Sequence, residues 1–200
     1  ASGAQLSYSA LTAFCRRHQL VKQPKSPVGQ YHFNPGKEMQ HDTSPHQVKI
    51  GGTKVLAQTA SLVLAYSRMI FIQLVPRLDR FACKVFLQDA LAYFGGICKC
   101  CLIDNTSVIV LSGTGRNMIP VPEMKTFADR LGFSFAAHEV GDADRKGRVE
   151  RPFHFVEHNF LAGRQFADWI DVNQQARTWC DKVNHRFRKR LHAKPVELFA

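Results

Sequence analysis

The feature that most constrains the fold is the order of apolar segments from residue 38 onward. Three stretches suited to β-strands, residues 38–44, 55–65 and 69–75, follow one another with short connections. Tight connections between the last two, at Tyr66 to Arg68, favour antiparallel pairing, because parallel strands need a long crossover. The sequence therefore predicts an antiparallel meander at the start of the main domain.

Helices and strands alternate after this meander. Residues 79–94 repeat apolar side chains at every fourth position and stop at Gly95-Gly96, which is typical of a helix and its C-terminal cap. Residues 97–103 are nearly all apolar and predict an interior strand. The remaining predicted elements are an irregular segment at 105–117, helices at 122–131, 149–160 and 168–184, and a strand at 133–138. The pattern is that of an α/β domain.

The residues before position 38 do not form a domain by themselves. Ser7 or Ser9 can cap a single helix within residues 1–22. Residues 23–37 contain three Pro and two Gly, a composition typical of a linker. One short helix cannot bury a core, so we expect residues 1–22 to be the tail of a unit truncated upstream. The C-terminal end is also expected to be interrupted.

The charge distribution indicates a polyanionic partner. The chain has 27 Lys and Arg against 16 Asp and Glu, a formal net charge of +11. Residues 1–37 contain five basic and no acidic residues, and residues 177–194 contain seven basic residues and only Asp181 as an acid. Such a balance favours nucleic acid, although a merely soluble cationic surface has the same composition. No long apolar run suggests a membrane span, and the chain is expected to be cytoplasmic.

The six cysteines do not predict a metal site. Cys98, Cys100 and Cys101 lie together, but no second pair of Cys or His follows at zinc-binding spacing. Cysteines within an apolar strand behave as small hydrophobic residues. We expect reduced thiols in a core, as in a cytosolic protein.

Three acidic residues in unlike surroundings are candidate metal ligands. Asp42 lies on the first predicted strand, Asp104 directly follows the apolar strand 97–103, and Glu150 opens a helix among Arg and Lys residues. Ligand sites in α/β sheets gather at the carboxyl ends of strands. Hard carboxylate oxygens brought together from distant segments suit a divalent ion for phosphoryl transfer. By chance alone some such trio exists among 16 acidic residues, and each member has an ordinary structural explanation.

The sequence resembles the ribonuclease-H-like core of DDE transposases and retroviral-type integrases, most strongly the bacterial insertion-sequence transposases of the IstA type. The similarity lies in residues 39–42, in residues 94–105, and above all in the stretch Lys-Gly-Arg-Val-Glu-Arg-Pro-Phe from residue 146 and its continuation to residue 161. It covers about residues 38–199. Residues 7–22 also resemble the closing helix of the helix-turn-helix region that precedes this core. His41 and the cysteine cluster depart from the expected pattern.

The resemblance implies a specific fold and chemistry. The fold is a five-stranded mixed sheet, with a three-stranded antiparallel meander plus two parallel strands, flanked by helices. Asp42, Asp104 and Glu150 fall on the family's catalytic positions and would hold two Mg²⁺ or Mn²⁺ ions for DNA cleavage and strand transfer. The resemblance also implies a homo-oligomer on the element ends and target DNA, an IstB-type ATPase partner, and a bacterial, nucleoid-associated protein.

Several further residues are weaker candidates. Asn105, Lys146, Arg148 and Arg151 are candidate DNA contacts, although a basic helix start can also be only a solvated face. His154, one turn after Glu150, more often packs at a helix edge than binds a ligand. The Ser-Gly-Thr-Gly stretch from residue 112 lacks the Gly-Lys-Ser/Thr context of a phosphate-binding loop, so nucleotide binding is rejected.

Two other functions are compatible with the same sequence. A hydrolytic nuclease of the ribonuclease-H-like fold would cleave nucleic acid without joining it. A DNA-binding protein derived from a transposase would lack catalysis altogether. The recognised terminal sequence, the target preference and the activity of this chain alone are not predictable from the sequence.

Overall fold

The protein divides into two compact units, residues 1–31 and residues 32–200. A computed structural model describes residues 7–18, 33–104, 106–138, 150–189 and 191–199, and for a few of these, among them Glu150 and Arg151, only the backbone. In the first unit, helix α1 spans Tyr8–Arg17, and the Ser7 hydroxyl accepts the backbone N–H of Ala10 at 3.2 Å. This is the predicted N-terminal cap. That α1 closes a helix-turn-helix region stays a prediction.

The second unit is built on a five-stranded sheet. Its strands in chain order, with a separate two-stranded ribbon formed by β5 and β6, are β1 (Glu38–Ile50), β2 (Thr53–Leu64), β3 (Ile70–Val75), β4 (Cys100–Ile103), β5 (Val110–Ser112), β6 (Ile119–Pro120) and β7 (Ser134–Ala137). The order across the sheet is β3-β2-β1-β4-β7. The pairs β1–β2 and β2–β3 are antiparallel, whereas β1–β4 and β4–β7 are parallel. The predicted mixed sheet is confirmed.

Helices follow the strands in the predicted order. They are α2 (Arg80–Phe94), α3 (Pro122–Leu131), α4 (Glu150–Val156), which continues as a π-helical segment (Glu157–Leu161), α5 (Trp169–Asn184) and α6 (Pro195–Phe199). Asp79 and Asp168 cap α2 and α5, each accepting backbone N–H groups of the first turn. These side chains satisfy amides that have no partner within the helix.

Strand β1 is longer than the predicted segment 38–44. It pairs with β2 up to Ile50, and Gly51 and Gly52 form the two-residue turn with φ of 55° and 82°. Both turn positions need positive φ, which glycine adopts without a Cβ clash. Pro45, directly after the predicted end of the strand, lies within β1. It is tolerated because β4 pairs only with residues 38–41, so the other side of β1 has no partner strand there.

The two faces of β1 contact different helices. The ring of His41 lies 5.2 Å from that of Phe86 on α2, whereas the ring of His46 lies 5.8 Å from that of Phe153 on α4. Successive strand residues point to opposite faces, so odd-numbered residues of β1 face α2 and even-numbered residues face α4. Asp42 therefore lies on the α4 face of the sheet.

The outer edge of β3 is covered by α5 through side chains. Asn173 accepts the N–H of Leu74 at 2.8 Å and donates to its carbonyl at 2.9 Å, and Asn184 makes the same pair of bonds with Ile70, both at 2.9 Å. Between them, Cys180 contacts the backbone of Ile72. An edge strand otherwise presents unpaired N–H and C=O groups. Helix α5 satisfies these groups as a neighbouring strand would.

The segment predicted to be irregular, residues 105–117, contains part of the β5–β6 ribbon. Val110 pairs with Pro120 and Ser112 with Ile119. A Cβ on Gly113 would lie 2.0 Å from the carbonyl oxygen of Asn117, and Gly113 has φ of 76°. Only glycine fits this reversal.

Candidate active site

Asp42 and Asp104 lie at adjacent positions on neighbouring parallel strands. The last residues paired between β1 and β4 are His41 and Ile103. Asp42 is the next residue of β1, and Asp104 is the residue directly after the end of β4. Adjacent strands are roughly 4.8 Å apart, so the two backbones come close at this point. Gln40 pairs with Leu102, so the alternation assigns both aspartates to the same face of the sheet.

The local surroundings differ between the two aspartates. Asp42 is half-buried and its Oδ1 accepts the backbone N–H of Thr43 at 2.7 Å, while its own carbonyl accepts the hydroxyl of Ser61 at 3.3 Å. Asp104 is exposed, and its carbonyl accepts the N–H of Thr106 at 2.7 Å as the chain leaves β4. Asp42 is thus fixed by a long central strand, and Asp104 begins a turn at the edge of solvent.

Glu150 begins helix α4, as predicted. Pro152 is in the first turn, where a missing N–H costs no helical hydrogen bond. The side chain of Glu150 lies outside the described atoms, so only its position in the helix enters the geometry.

Contacts along α4 fix its direction relative to β1. Phe153 lies against His46, and further along, Phe160 lies 5.8 Å from Phe166, ring centroid to ring centroid. Phe166 in turn donates to the carbonyl of Lys49 at 2.9 Å, near the end of β1. The helix and its π-helical extension therefore run in the same direction as β1. Glu150, about 4.5 Å of helix rise before Phe153, is displaced toward the Asp42 end of the strand.

His46 was not identified from the sequence, although it joins the two elements that carry Asp42 and Glu150. Its Nδ1 lies 2.9 Å from the Thr59 hydroxyl, and its ring packs on Phe153. Burial lowers the pKa of His46, and the nearby charge of Glu157 acts in the opposite direction. The sequence would have indicated His46 only if the predicted strand had continued past Pro45.

His41, the departure from an apolar strand residue, is accommodated as a buried neutral ring. Its Nδ1 lies 3.0 Å from the carbonyl oxygen of Ser61, and since a carbonyl only accepts, Nδ1 carries the hydrogen. Its Nε2 faces the Cys83 thiol at 3.8 Å. Burial lowers the pKa of His41 to about 4. The residue has a structural role beside Asp42.

The cysteines are free thiols, as predicted. Cys98 and Cys101 are buried and Cys100 is half-buried, and burial raises the pKa of Cys98 to about 11 and that of Cys101 well above its usual value. The two buried cysteines are therefore protonated thiols in the core. Such thiols are poor metal ligands, since the thiolate is the binding form.

The remaining predicted site residues lie wholly or partly outside the described atoms. Asn105, Lys146 and Arg148 fall in undescribed segments, and Arg151 is described only by its backbone in α4. Among the residues described, no group of three or more His, Cys, Asp or Glu is arranged to hold a metal ion. That search does not include the Glu150 side chain. Within the same residues, no helix is long and apolar enough to cross a membrane.

Comparison with known proteins identifies relatives of the chain. No family model matches the sequence. The transposase for insertion sequence element IS640 of Shigella sonnei is 29% identical over 161 residues, which is 80% of this chain and 51% of that protein. The transposase for IS21 of Pseudomonas aeruginosa is 27% identical over 179 residues, covering 88% of this chain and 46% of that protein. The chain is a relative of insertion-sequence transposases. It spans about half the length of these relatives.

Solved structures confirm the fold of this transposase relative. The simian T-cell lymphotropic virus intasome in complex with the PP2A regulatory subunit B56 gamma matches 85% of this chain and 56% of that chain, with a TM-score of 0.61 and 14% identity. The HTLV-2 integrase catalytic core domain in complex with magnesium matches 83% of this chain and 97% of that chain, with a TM-score of 0.56 and 12% identity. Both the predicted resemblance and the ribonuclease-H-like fold are confirmed.

Proposed function

We propose that this chain is the catalytic core of a transposase that cleaves DNA at the ends of a mobile element and joins them to target DNA. Asp42, Asp104 and Glu150 are its catalytic carboxylates. The observation that carries the proposal is the parallel pairing of β1 with β4, which brings Asp42 and Asp104 to adjacent positions on one face. Helix α4 packs on that same face and begins at Glu150.

The donor set fits a hard divalent cation. Carboxylate oxygens such as those of Asp42 and Asp104 are the ligands that Mg²⁺ and Mn²⁺ prefer, and Mg²⁺ retains several waters, so few protein ligands suffice. Asp104 is exposed and Asp42 half-buried, so both can be reached from solvent. When bound, a pair of such ions lowers the pKa of a nucleophilic water or hydroxyl and stabilises charge on the phosphate oxygens.

The chain itself supplies position and charge. The Thr43 amide restrains the Asp42 carboxylate through the 2.7 Å bond to Oδ1. Glu150 is held near this face by helix α4. In the first reaction a water attacks the phosphodiester and a 3′-hydroxyl leaves; in the second that hydroxyl attacks target DNA and the target's own 3′-oxygen leaves. No protein nucleophile is required.

DNA is the proposed substrate, and the net charge of +11 supports it. Asn105, Lys146, Arg148 and Arg151 are proposed DNA contacts because they flank the proposed carboxylates in the sequence. Assembly as a homo-oligomer on two element ends, with an IstB-type ATPase partner, is proposed from the resemblance to insertion-sequence transposases.

The decisive experiment is a cleavage and strand-transfer assay with DNA duplexes carrying the terminal sequences of the encoding element. The protein is tested as the longest polypeptide that its gene encodes, with Mg²⁺ and with a chelator. Asp104→Asn is expected to reduce cleavage and joining at least about 100-fold, because charge stabilisation by the metal supplies several kcal/mol. DNA binding in a gel-shift assay is expected to persist.

The matched control is Asp129→Asn, which removes the same charge from an exposed position on α3, where Asp129 accepts a hydrogen bond from Lys125 at 2.7 Å. It is expected to retain activity. Full activity of Asp104→Asn would reject the proposed site. Cleavage without joining in the unaltered protein would identify a hydrolytic nuclease, and DNA binding without either reaction a non-catalytic protein.

A further inference from the structure

Two histidines form a pair on the outer face of the helical segment that follows Glu150. His154 lies in α4 and His158 in the π-helical segment, and both side chains are exposed. Their ring centroids are 4.1 Å apart and the ring planes differ by 22°. Residues four apart on a helix lie one above the other, so both imidazoles face the same patch of solvent.

The hydrogen bonding of His158 leaves one ring nitrogen suited to coordination. Its Nδ1 lies 2.9 Å from the backbone carbonyl oxygen of His154. A carbonyl oxygen only accepts, so Nδ1 carries the hydrogen and, in the neutral ring, Nε2 presents its lone pair. An Nδ1–H to carbonyl bond of this kind orients the ring of many metal-binding histidines and fixes their tautomer.

We propose that His154 and His158 together bind one divalent transition cation of the Zn²⁺ class, with water as the remaining ligands. Tetrahedral Zn²⁺ with Zn–N bonds of about 2.0–2.1 Å needs two nitrogens roughly 3.3 Å apart. The rings are stacked at 4.1 Å, so both must turn about their side-chain bonds for their nitrogens to point at one ion, which their exposed positions allow. His154 lies one helical turn after Glu150, which belongs to the proposed carboxylate site.

Ligand chemistry separates the two sites. Imidazole nitrogen suits Zn²⁺, Ni²⁺ and Cu²⁺, whereas carboxylates and water suit Mg²⁺ and Mn²⁺. An excess of Mg²⁺ therefore occupies carboxylate positions without competing effectively at the histidine pair. The inference depends only on the two rings and holds whether or not the chain is catalytic.

The test is isothermal titration of the tag-free protein with ZnCl₂ in the presence of excess MgCl₂. We expect a saturable site that is weakened at least about tenfold, about 1.4 kcal/mol, by His154→Gln and equally by His158→Gln. Glutamine has at least as high a helix propensity as histidine, and both positions are exposed, so the fold is expected to persist. Circular dichroism of each variant checks this.

His185→Gln is the matched control. His185 is also exposed, and its Nδ1 lies 2.8 Å from the carbonyl oxygen of Asp181, but position 181 holds an aspartate in place of a second imidazole. This variant and Asp104→Asn are both expected to bind Zn²⁺ as the unaltered protein does. Unchanged binding after both histidine substitutions would assign the metal to thiols or carboxylates and overturn the proposal. Absence of saturable binding, or sensitivity to only one of the two histidines, would also overturn it.

Discussion

Polar side chains differ in burial between the β3 edge of the sheet and the neighbouring strands β1 and β4. At the edge of β3, Asn184 is fully buried and Asn173 half-buried, and their amides satisfy the backbone groups of Ile70 and Leu74. Just beyond the last paired residues of β1 and β4, Asp42 and Asp104 remain accessible to solvent. The first group holds the fold together, and removing it leaves buried backbone groups without partners. The second group is proposed to bind a ligand, and we expect it to contribute less to folding.

Burial, more than residue type, separates the structural polar groups from the proposed functional ones. His41 and Asp42 are adjacent in sequence but point to opposite faces. His41 is buried against α2 with a lowered pKa, whereas Asp42 faces α4. One step along a strand therefore exchanges a residue that stabilises the core for a proposed metal ligand.

The largest expected effect is a loss of strand transfer, and it tests the proposed carboxylate site. Glu150→Gln is expected to lower strand transfer at least about 100-fold, because a neutral amide is a weaker ligand for a divalent cation. Glu157→Gln is the matched control, since Glu157 is exposed two turns later in the same segment, and it is expected to keep activity within a few-fold. Equal losses in both variants would show that charge on this segment matters, and not the position of Glu150.

The buried polar groups include His41, through which we expect the stability of the fold to fall at acid pH. The pKa of His41 is lowered by burial from 6.5 to about 4, so the unfolded state binds a proton more readily. The stability contributed by the neutral ring is complete above pH 6.5 and is lost as the pH falls toward 4. Each pH unit between the two pKa values changes the protonation equilibrium tenfold. The free energy of unfolding therefore falls by on the order of 3 kcal/mol.

Urea unfolding at pH 7 and at pH 4 measures this loss. Other groups also titrate in this range, so the comparison is with His41→Met, which has no titrating ring and fills a similar apolar space. The variant is expected to lose less stability between the two pH values. The same pH dependence in both proteins would mean that His41 is protonated in the folded state.

The side-chain cover over β3 predicts a graded loss of stability. Asn184→Ala removes both bonds to Ile70 at a fully buried position, and we expect about 2–3 kcal/mol of destabilisation. Asn173→Ala removes the equivalent bonds to Leu74 at a half-buried position, where water can replace them, and about 1–2 kcal/mol is expected. Chemical denaturation of both variants checks the order, and a reversed order would contradict this account.

The smallest expected effect concerns the stability of the proposed site. Asp104→Asn is expected to change the free energy of unfolding by no more than about 0.5 kcal/mol, as for other exposed positions. Together with lost activity, this result would sharpen the contrast with Asn184. A large destabilisation would instead assign Asp104 a structural role in the turn to Thr106.

Much of the fold could be predicted because local residue spacing and boundary residues indicate its helices and strands. The buried stripe of α5, formed by Val172, Ala176, Trp179 and Val183, has the spacing of a helix, and Pro122 and Gly132 delimit α3. The predictions were wrong where contacts with residues distant in sequence determine whether a segment forms a strand. Pro45 stays in a strand because of missing neighbours on one side, and the ribbon at residues 110–120 depends on pairing across a turn.

The sequence by itself determined the order of the elements, the basic character of the chain and the candidate carboxylates, because periodicity, charge and residue type are local properties. Only the tertiary structure decided that β1 and β4 pair in parallel with Asp42 and Asp104 at adjacent positions. It also decided that asparagines of α5 cover β3 and that His154 and His158 stack. These depend on register and on helix placement, which are set when distant segments bury their apolar faces together.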